Sequence, residues 1–365
     1  MIRAVAILGL SLGVGSASAD VLQTSSGPVQ VTPMIEGLDT PWAIGILPDG
    51  TFLVTERDGE LLYVANGQAD RVKGVPKVAT RGQGGLLDVT VARDFAQSRE
   101  VFLTYSKPQK NGAGTALAVA RLSKDGHRLT KLRVLFEAVP GGSSGRHFGS
   151  RVVEAEDGTL FVTIGDRGDR PAAQDRSNLM GTIIRINRDG TVPADNPFVG
   201  DANSRPEIWT YGHRNPQGAG LDAQGRLWVS EHGAKGGDEV NLIAPGQNYG
   251  WPIISYGVHY SGQKIGDGTA KPGLEQPQHY WDPSIAPSGL MVYSGKLWPQ
   301  WADNIFVGSL KFDYIARLAG TPLREVEHIE GSETDRVRDI VEAADGSIWF
   351  ISVGQGVVYR MTPGS

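Results

Sequence analysis

Pro48-Asp49-Gly50-Thr51-Phe52-Leu53-Val54 returns along the chain as Glu156-Asp157-Gly158-Thr159-Leu160-Phe161-Val162, as Ala223-Gln224-Gly225-Arg226-Leu227-Trp228-Val229 and as Ala344-Asp345-Gly346-Ser347-Ile348-Trp349-Phe350. In each copy a polar turn ending in glycine leads into a short run of apolar, β-branched or aromatic residues. That is how a hairpin delivers the chain into a strand. Asp94–Leu103 and Pro299–Val307 fit the same slot with longer turns. The six units recur at intervals of roughly 40–75 residues, at or somewhat above the repeat length of propeller blades. A β-sandwich also contains many short strands, but it does not normally repeat one hairpin phrase along the whole chain. The expectation is an all-β fold: a six-bladed β-propeller with four-stranded antiparallel blades.

Outside the repeat, the first residues speak to compartment. Arg3 is followed by an apolar run from Ala4 to Val14, and Ala17-Ser18-Ala19 has the small-residue spacing of a cleavage site before Asp20. Residues 1–19 are expected to be a secretory signal peptide, which places the product beyond the inner membrane, in the periplasm. The run is too short for a spanning helix, which needs about 20 apolar residues. No stable membrane insertion is expected after cleavage. Residues 20–365 then form one domain without a linker. Gly141–Gly145 reads as a loop, and the aromatic, turn-rich segment Trp251–Pro287 reads as an elaborated loop or cap between blades.

Composition narrows function. Loss of Arg3 with the leader leaves 34 basic against 40 acidic residues, a net charge of −6. Nucleic-acid binders carry the opposite balance. The chain has no cysteine, which removes thiolate metal sites and cysteine nucleophiles and leaves the fold to its core. Neither a Walker loop nor Gly-x-Gly-x-x-Gly opening a helix is present, and Gly-x-Ser-x-Gly is missing, so nucleotide cofactors and a serine hydrolase find no support.

Propellers bind ligands on the loops at the mouth of the central channel. Five polar stretches at blade edges stand out: Arg81–Leu87, Arg146–Arg151, Tyr211–Gly218, Glu231–Asn241 and Asp335–Asp339. Arg214, Lys311, Arg336 and Arg338 bring four cations from three blades. Arginine forks suit carboxylates because they bond both oxygens at once. Arg336 and Arg338, two residues apart, would project to one side of a strand. The plainer reading pairs these arginines with Asp335 and Asp339. His147, in a glycine-flanked loop, is a candidate general base, because a reference pKa of about 6.5 leaves imidazole largely neutral near pH 7. His213, His232 and His259 are weaker candidates.

The run Gly212-His213-Arg214-Asn215-Pro216-Gln217-Gly218 and the pair Gly236–Asn241 and Asn248–Pro252 carry a family resemblance, with which the His147 loop and Arg336-Val337-Arg338 agree. Over essentially the whole mature chain, the sequence resembles the soluble pyrroloquinoline quinone (PQQ)-dependent glucose/sorbosone dehydrogenases, especially the aldose sugar dehydrogenases. The resemblance implies PQQ contacts at Gln83, Arg214, Asn215, His232, Tyr260, Lys311, Arg336 and Arg338. It implies Asp166 as the acid behind His147. It implies a calcium ion at the carbonyls of Gly233 and Ala234, where the family often has Gly-Pro. A second, structural calcium is implied at Glu239 and the main-chain oxygen of Tyr249. The implied reaction oxidises an aldose at C1 to an aldonolactone, with electrons passed to an acceptor the sequence does not name. The implied protein is a monomer or a homodimer.

Two other readings stay open at this stage. Propellers with a central metal also hydrolyse sugar lactones, but that reading leaves the dispersed cations without a purpose. A non-catalytic binding propeller is also compatible with the fold, because one fold hosts many functions.

Overall fold

In the computed structural model, which describes residues 20–364, the chain is a closed ring of six antiparallel sheets. The proposed signal peptide lies outside the described residues. Blade 1 is Pro41–Ile46, Phe52–Glu56, Glu60–Ala65 and Gln68–Arg71. Blade 2 is Leu86–Val91, Glu100–Gln109, Gly112–Leu122 and Leu129–Glu137. Blade 3 is Val152–Glu154, Leu160–Ile164, Thr182–Ile186 and Ile208–Tyr211. Blade 4 is Pro216–Leu221, Leu227–Glu231, Asp238–Ile243 and His279–Trp281. Blade 5 is Pro287–Val292, Ile305–Ser309, Tyr314–Ala319 and Arg324–Glu330. The first strand of each blade touches the first strand of the next, and blade 6 closes on blade 1, so these strands line the axis.

Blade 6 departs from the four-strand plan. Val337–Glu342, Ile348–Ser352 and Val357–Pro363 come from the end of the chain. Gly27–Ile35 pairs with Val357–Pro363, and Asp20–Thr24 adds a fifth strand outside it. The two ends of the chain therefore close the ring together.

The repeated hairpin phrase joins the first and second strands of blades 1, 3, 4 and 6. Asp49 Oδ1 accepts the Thr51 N–H at 3.0 Å and its hydroxyl at 2.6 Å. Asp157 with Thr159 and Asp345 with Ser347 repeat this. Gly50, Gly158, Gly225 and Gly346 all have positive φ, between 74° and 87°. A Cβ at Gly50, Gly158 or Gly225 would meet nothing within 4 Å, so backbone conformation rather than space selects glycine there. The longer turns at Asp94 and Pro299 occupy the same place in blades 2 and 5.

The second strands are buried along their whole length in blades 1, 3, 5 and 6. Such strands read as continuous apolar runs because both faces are covered. Six apolar clusters fill the six clefts between neighbouring blades, for example Leu53 and Leu61 against Leu103 and Ala116. No disulfide is needed for this core. The segment 244–278 caps one end of the ring: Tyr211 bridges Asn248 on blade 3, and Lys235 bridges Val258 on blade 4. Trp251–Pro287 is not all loop, because His279–Trp281 forms the outer strand of blade 4.

Candidate functional site

Antiparallel blades put two sets of connections at the same end: those leading into each first strand, and those following each second strand. All five polar stretches of the sequence reach that end. The hairpin phrase turns at the other. Scaffold turns and chemistry therefore occupy opposite faces.

His147 lies on the connection into blade 3, with φ at +55°, and is 9% exposed. Left-handed backbone at a non-glycine residue is an outlier of the kind that marks functional loops. Its N–H donates to Gln83 Oε1 at 2.6 Å. Its Nδ1 lies 2.6 Å from Asp166 Oδ1. Asp166, fully buried, also accepts the Gly168 N–H at 2.7 Å and the Trp251 indole N–H at 2.8 Å. Burial would raise the Asp166 pKa, but these donors hold it below the usual carboxylate value. An ionised Asp166 fixes the proton of His147 on Nδ1 and leaves Nε2 as the acceptor. Burial lowers the His147 pKa and outweighs the opposing pull of Asp166, with Arg214 adding to the depression. The ring is therefore neutral at pH 7.

Arg167, also at positive φ, clamps the loop that carries His147. Its guanidinium donates to the carbonyls of Ser144, Arg146 and Ala113 and lies 3.5 Å from the centre of the Phe148 ring. Asn215 holds the same loop by accepting the Gly149 N–H at 3.2 Å.

Beside this pair a cavity of about 500 Å³ opens on the axis. It is lined by Arg57, Lys311, Arg336 and Arg338, with Gln83, Gln217, His232 and Trp42 among its other walls. Among the described residues, no Asp or Glu lines it and none of the four cations forms an ion pair. Arg57 Nε is buried without a partner. Burial pulls the Arg338 pKa down to about 9, with Arg151, Arg336 and Arg57 adding repulsion. This is a strongly positive basin short of anions, and its donor set fits a ligand with several carboxylates.

Several expectations meet a different geometry. Arg336 is not on the strand; its φ is +53° and the strand begins at Val337. The two arginines share the cavity because of that left-handed residue, not because of strand alternation. Asp339 pairs with neither of them. Arg151 bridges Asp88 at 2.9 Å and Asp339 at 2.7 Å, stacked on the Trp42 ring, and this buried triad lines a separate cavity of about 250 Å³ instead of the basin. Arg214 packs beside the basin and donates to the His232 carbonyl at 3.1 Å. Tyr260 is 73% exposed and is not among the residues lining the cavity.

The other histidines are occupied. His213 is fully buried between Glu231 and Thr210 and stacks on Tyr249. His232 donates Nε2–H to Gln217 Oε1, which also accepts from Arg338, and burial keeps its pKa well below normal. His259 accepts from Arg170 at 2.8 Å.

Gly233, Glu239 and Tyr249 surround one small cavity of about 20 Å³, together with Glu231. That is room for one water-sized particle. Ala234 lies next in the chain but bridges to Gly236 instead of lining this cavity. Burial, with Glu231 alongside, pushes the Glu239 pKa up to about 8. A buried carboxylate, Glu231, beside a half-buried one, Glu239, suits a hard metal ion with oxygen ligands. Among the described residues no three His, Asp or Glu side chains converge on a metal position, so backbone carbonyls would have to complete the shell.

Arg57, Trp42, Trp251 and Arg167 were not singled out from the sequence. A register argument finds Arg57. It directly follows the second strand of blade 1, where His232 follows that of blade 4, with Asp166 and Lys311 one residue further on in blades 3 and 5. Trp251 sits within the Asn248–Pro252 motif, whose sequence does not reveal its bond to Asp166.

Fold and site together define a class: a six-bladed propeller with an acid-free, cation-lined basin on its axis and a carboxylate-backed histidine beside it. A family model described as Glucose / Sorbosone dehydrogenase matches residues 38–360. Aldose sugar dehydrogenase YliI of Escherichia coli (strain K12) is 39% identical over 355 residues, covering 94% of this chain and 96% of its own. The crystal structure of the soluble aldose sugar dehydrogenase of Escherichia coli in its apo form superposes with a TM-score of 0.89 at 40% identity, over 92% of this chain and 100% of that one. The PQQ-bound aldose sugar dehydrogenase of Streptomyces coelicolor gives 0.76 at 26% identity, over 91% and 97%. The chain belongs to the glucose/sorbosone dehydrogenase family.

Proposed function

We propose that this protein oxidises aldose sugars at C1 with PQQ as its cofactor and calcium as its metal. The observation that carries the proposal is the acid-free basin with four unpaired cations next to the His147–Asp166 pair. PQQ carries three carboxylates, and bound there it supplies the oxidant that accepts two electrons and a proton from C1 as hydride. Arg57, Lys311, Arg336 and Arg338 hold and orient its carboxylates, with Gln83, Arg214, Asn215 and His232 around them. His147 Nε2 takes the C1 hydroxyl proton, and Asp166 stabilises the imidazolium that forms. The product is the aldonolactone.

The calcium assignment rests on the chemistry around Gly233, Glu239 and Tyr249. Ala234 supplies a carbonyl without the rigidity of proline. The proposal includes export to the periplasm after removal of residues 1–19. Among the described residues no helix is long and apolar enough to cross a membrane. The test is reconstitution of purified protein with PQQ and calcium, followed by sugar-dependent bleaching of a redox dye. A holoprotein inert toward sugars but active on lactones would replace this reading with a calcium-dependent lactonase.

A further inference from the structure

Oxidising one sugar leaves two electrons and two protons for the protein to pass on, and nothing in the basin chemistry says where they go. A second concavity, of about 470 Å³, lies between the outer parts of blades 4 and 5. It shares a wall with the basin that is one residue thick. Leu310 and Lys311 line the basin and Phe312 lines the groove; Ala286 lines the basin and Ile285 the groove. The Lys311 ammonium lies 4.7 Å from the centre of the Phe312 ring, and Phe312 is 45% exposed.

The groove has the opposite charge to the basin. Among the described residues it is lined by Asp282, Glu325 and Glu330 and by no Lys or Arg. Glu325 is tied internally to the Trp281 indole and His328. Asp282 and Glu330 are exposed and, among the described residues, form no side-chain hydrogen bond or ion pair. Tyr280, 46% exposed, stacks at 3.9 Å on Tyr256 and offers its ring beside them. Exposed aromatic faces rimmed by unpaired charge mark interaction surfaces.

We propose that this groove is the docking surface of the electron acceptor, and that the acceptor is a redox protein with a basic face. This rests on the oxidoreductase reading given above. Complementary charge steers encounter, while Phe312 and Tyr280 supply the desolvated contact. Each sugar oxidised then reduces two one-electron acceptor molecules, and two protons leave to solvent.

The probe is a lysine-rich cytochrome c, with the same protein succinylated on its lysines as the charge-reversed control. Binding to the apoprotein is read by surface plasmon resonance. Cytochrome reduction by the reconstituted enzyme is read by stopped flow at low salt. Native cytochrome should bind and be reduced at least tenfold faster than the succinylated form, and the advantage should shrink with salt. Glu330→Lys should slow association and reduction about five- to tenfold, and the milder Asp282→Asn about twofold. Sugar-driven bleaching of the bound cofactor should not change in either. Equal behaviour of native and succinylated cytochrome, or variants that bind and reduce like wild type, would overturn the docking surface. Absence of sugar-driven bleaching in the wild type would instead overturn the oxidoreductase reading.

Discussion

Replacing His147 with glutamine separates a base from its scaffold. The backbone bond to Gln83 does not involve the side chain and survives. A glutamine amide retains a donor for Asp166 Oδ1. The positive φ at 147 is somewhat less favourable for glutamine than for histidine, so the melting temperature of the variant is measured alongside its rate. The side chain is almost wholly buried and of similar size, so the loop has no cavity to collapse into. What is lost is the acceptor at Nε2. Loss of a general base typically costs about 100- to 10,000-fold in rate, or about 3–5 kcal/mol of barrier. The sign of the pH effect is set by burial. Because the His147 pKa is lowered from its ordinary value, the neutral base persists below pH 6.5. Wild-type cofactor reduction should therefore fall only as pH drops through that lowered value, and the acid limb should vanish in His147→Gln. The assay is stopped-flow bleaching of bound PQQ by glucose across a pH series, with PQQ titration as the control for binding. A mutant that reduces PQQ within a few-fold of wild type would show that His147 is not the base.

Three further outcomes follow from the same geometry. Asp166→Asn should slow reduction less than His147→Gln and move the acid limb still lower, since it removes the one partner that raises the imidazole pKa; a limb moving upward refutes the pairing. Arg338→Ala should weaken PQQ binding by roughly one to two decades, the worth of a charge-assisted hydrogen bond, in an isothermal titration. The apoprotein should not lose stability, because its basin sheds an unpaired cation crowded by three others; a large drop in apoprotein melting temperature points to a structural role instead. Calcium should raise the melting temperature of the wild type, and Glu239→Gln should shrink that rise, as expected for a ligand that binds only the native state; equal shifts in both proteins remove Glu239 from the site.

Much of the ring was legible because its signals are local. An Asp-Gly-Thr turn stores its own hydrogen bonds, and the buried runs after it have no other use than a covered strand. The mouth loops were legible because glycine-rich polar stretches at blade edges have few structural reasons to exist. The pairing of Gly27–Ile35 with Val357–Pro363 was not legible, since it joins segments more than 300 residues apart and neither carries a mark of the other. Arg57 was missed because one arginine after a strand looks like any surface residue until six blades are laid in register. The Arg336–Arg338 alignment was expected for the wrong reason, because a single left-handed residue cannot be seen in a two-residue spacing.

The join between chain ends also orders events in time. Val357–Pro363 is the last of the ring's strands in chain order, and blade 6 cannot exist without it. Until then the nascent protein carries five blades and an unpaired strand near its start, whose exposed N–H and C=O groups are a template for any passing edge. The slow, long-range contact comes last, so assembly should finish in one late cooperative step. A variant cut just before Val357 should not be a slightly weaker ring but an open, aggregation-prone one, its fate set by topology and not by the few contacts removed.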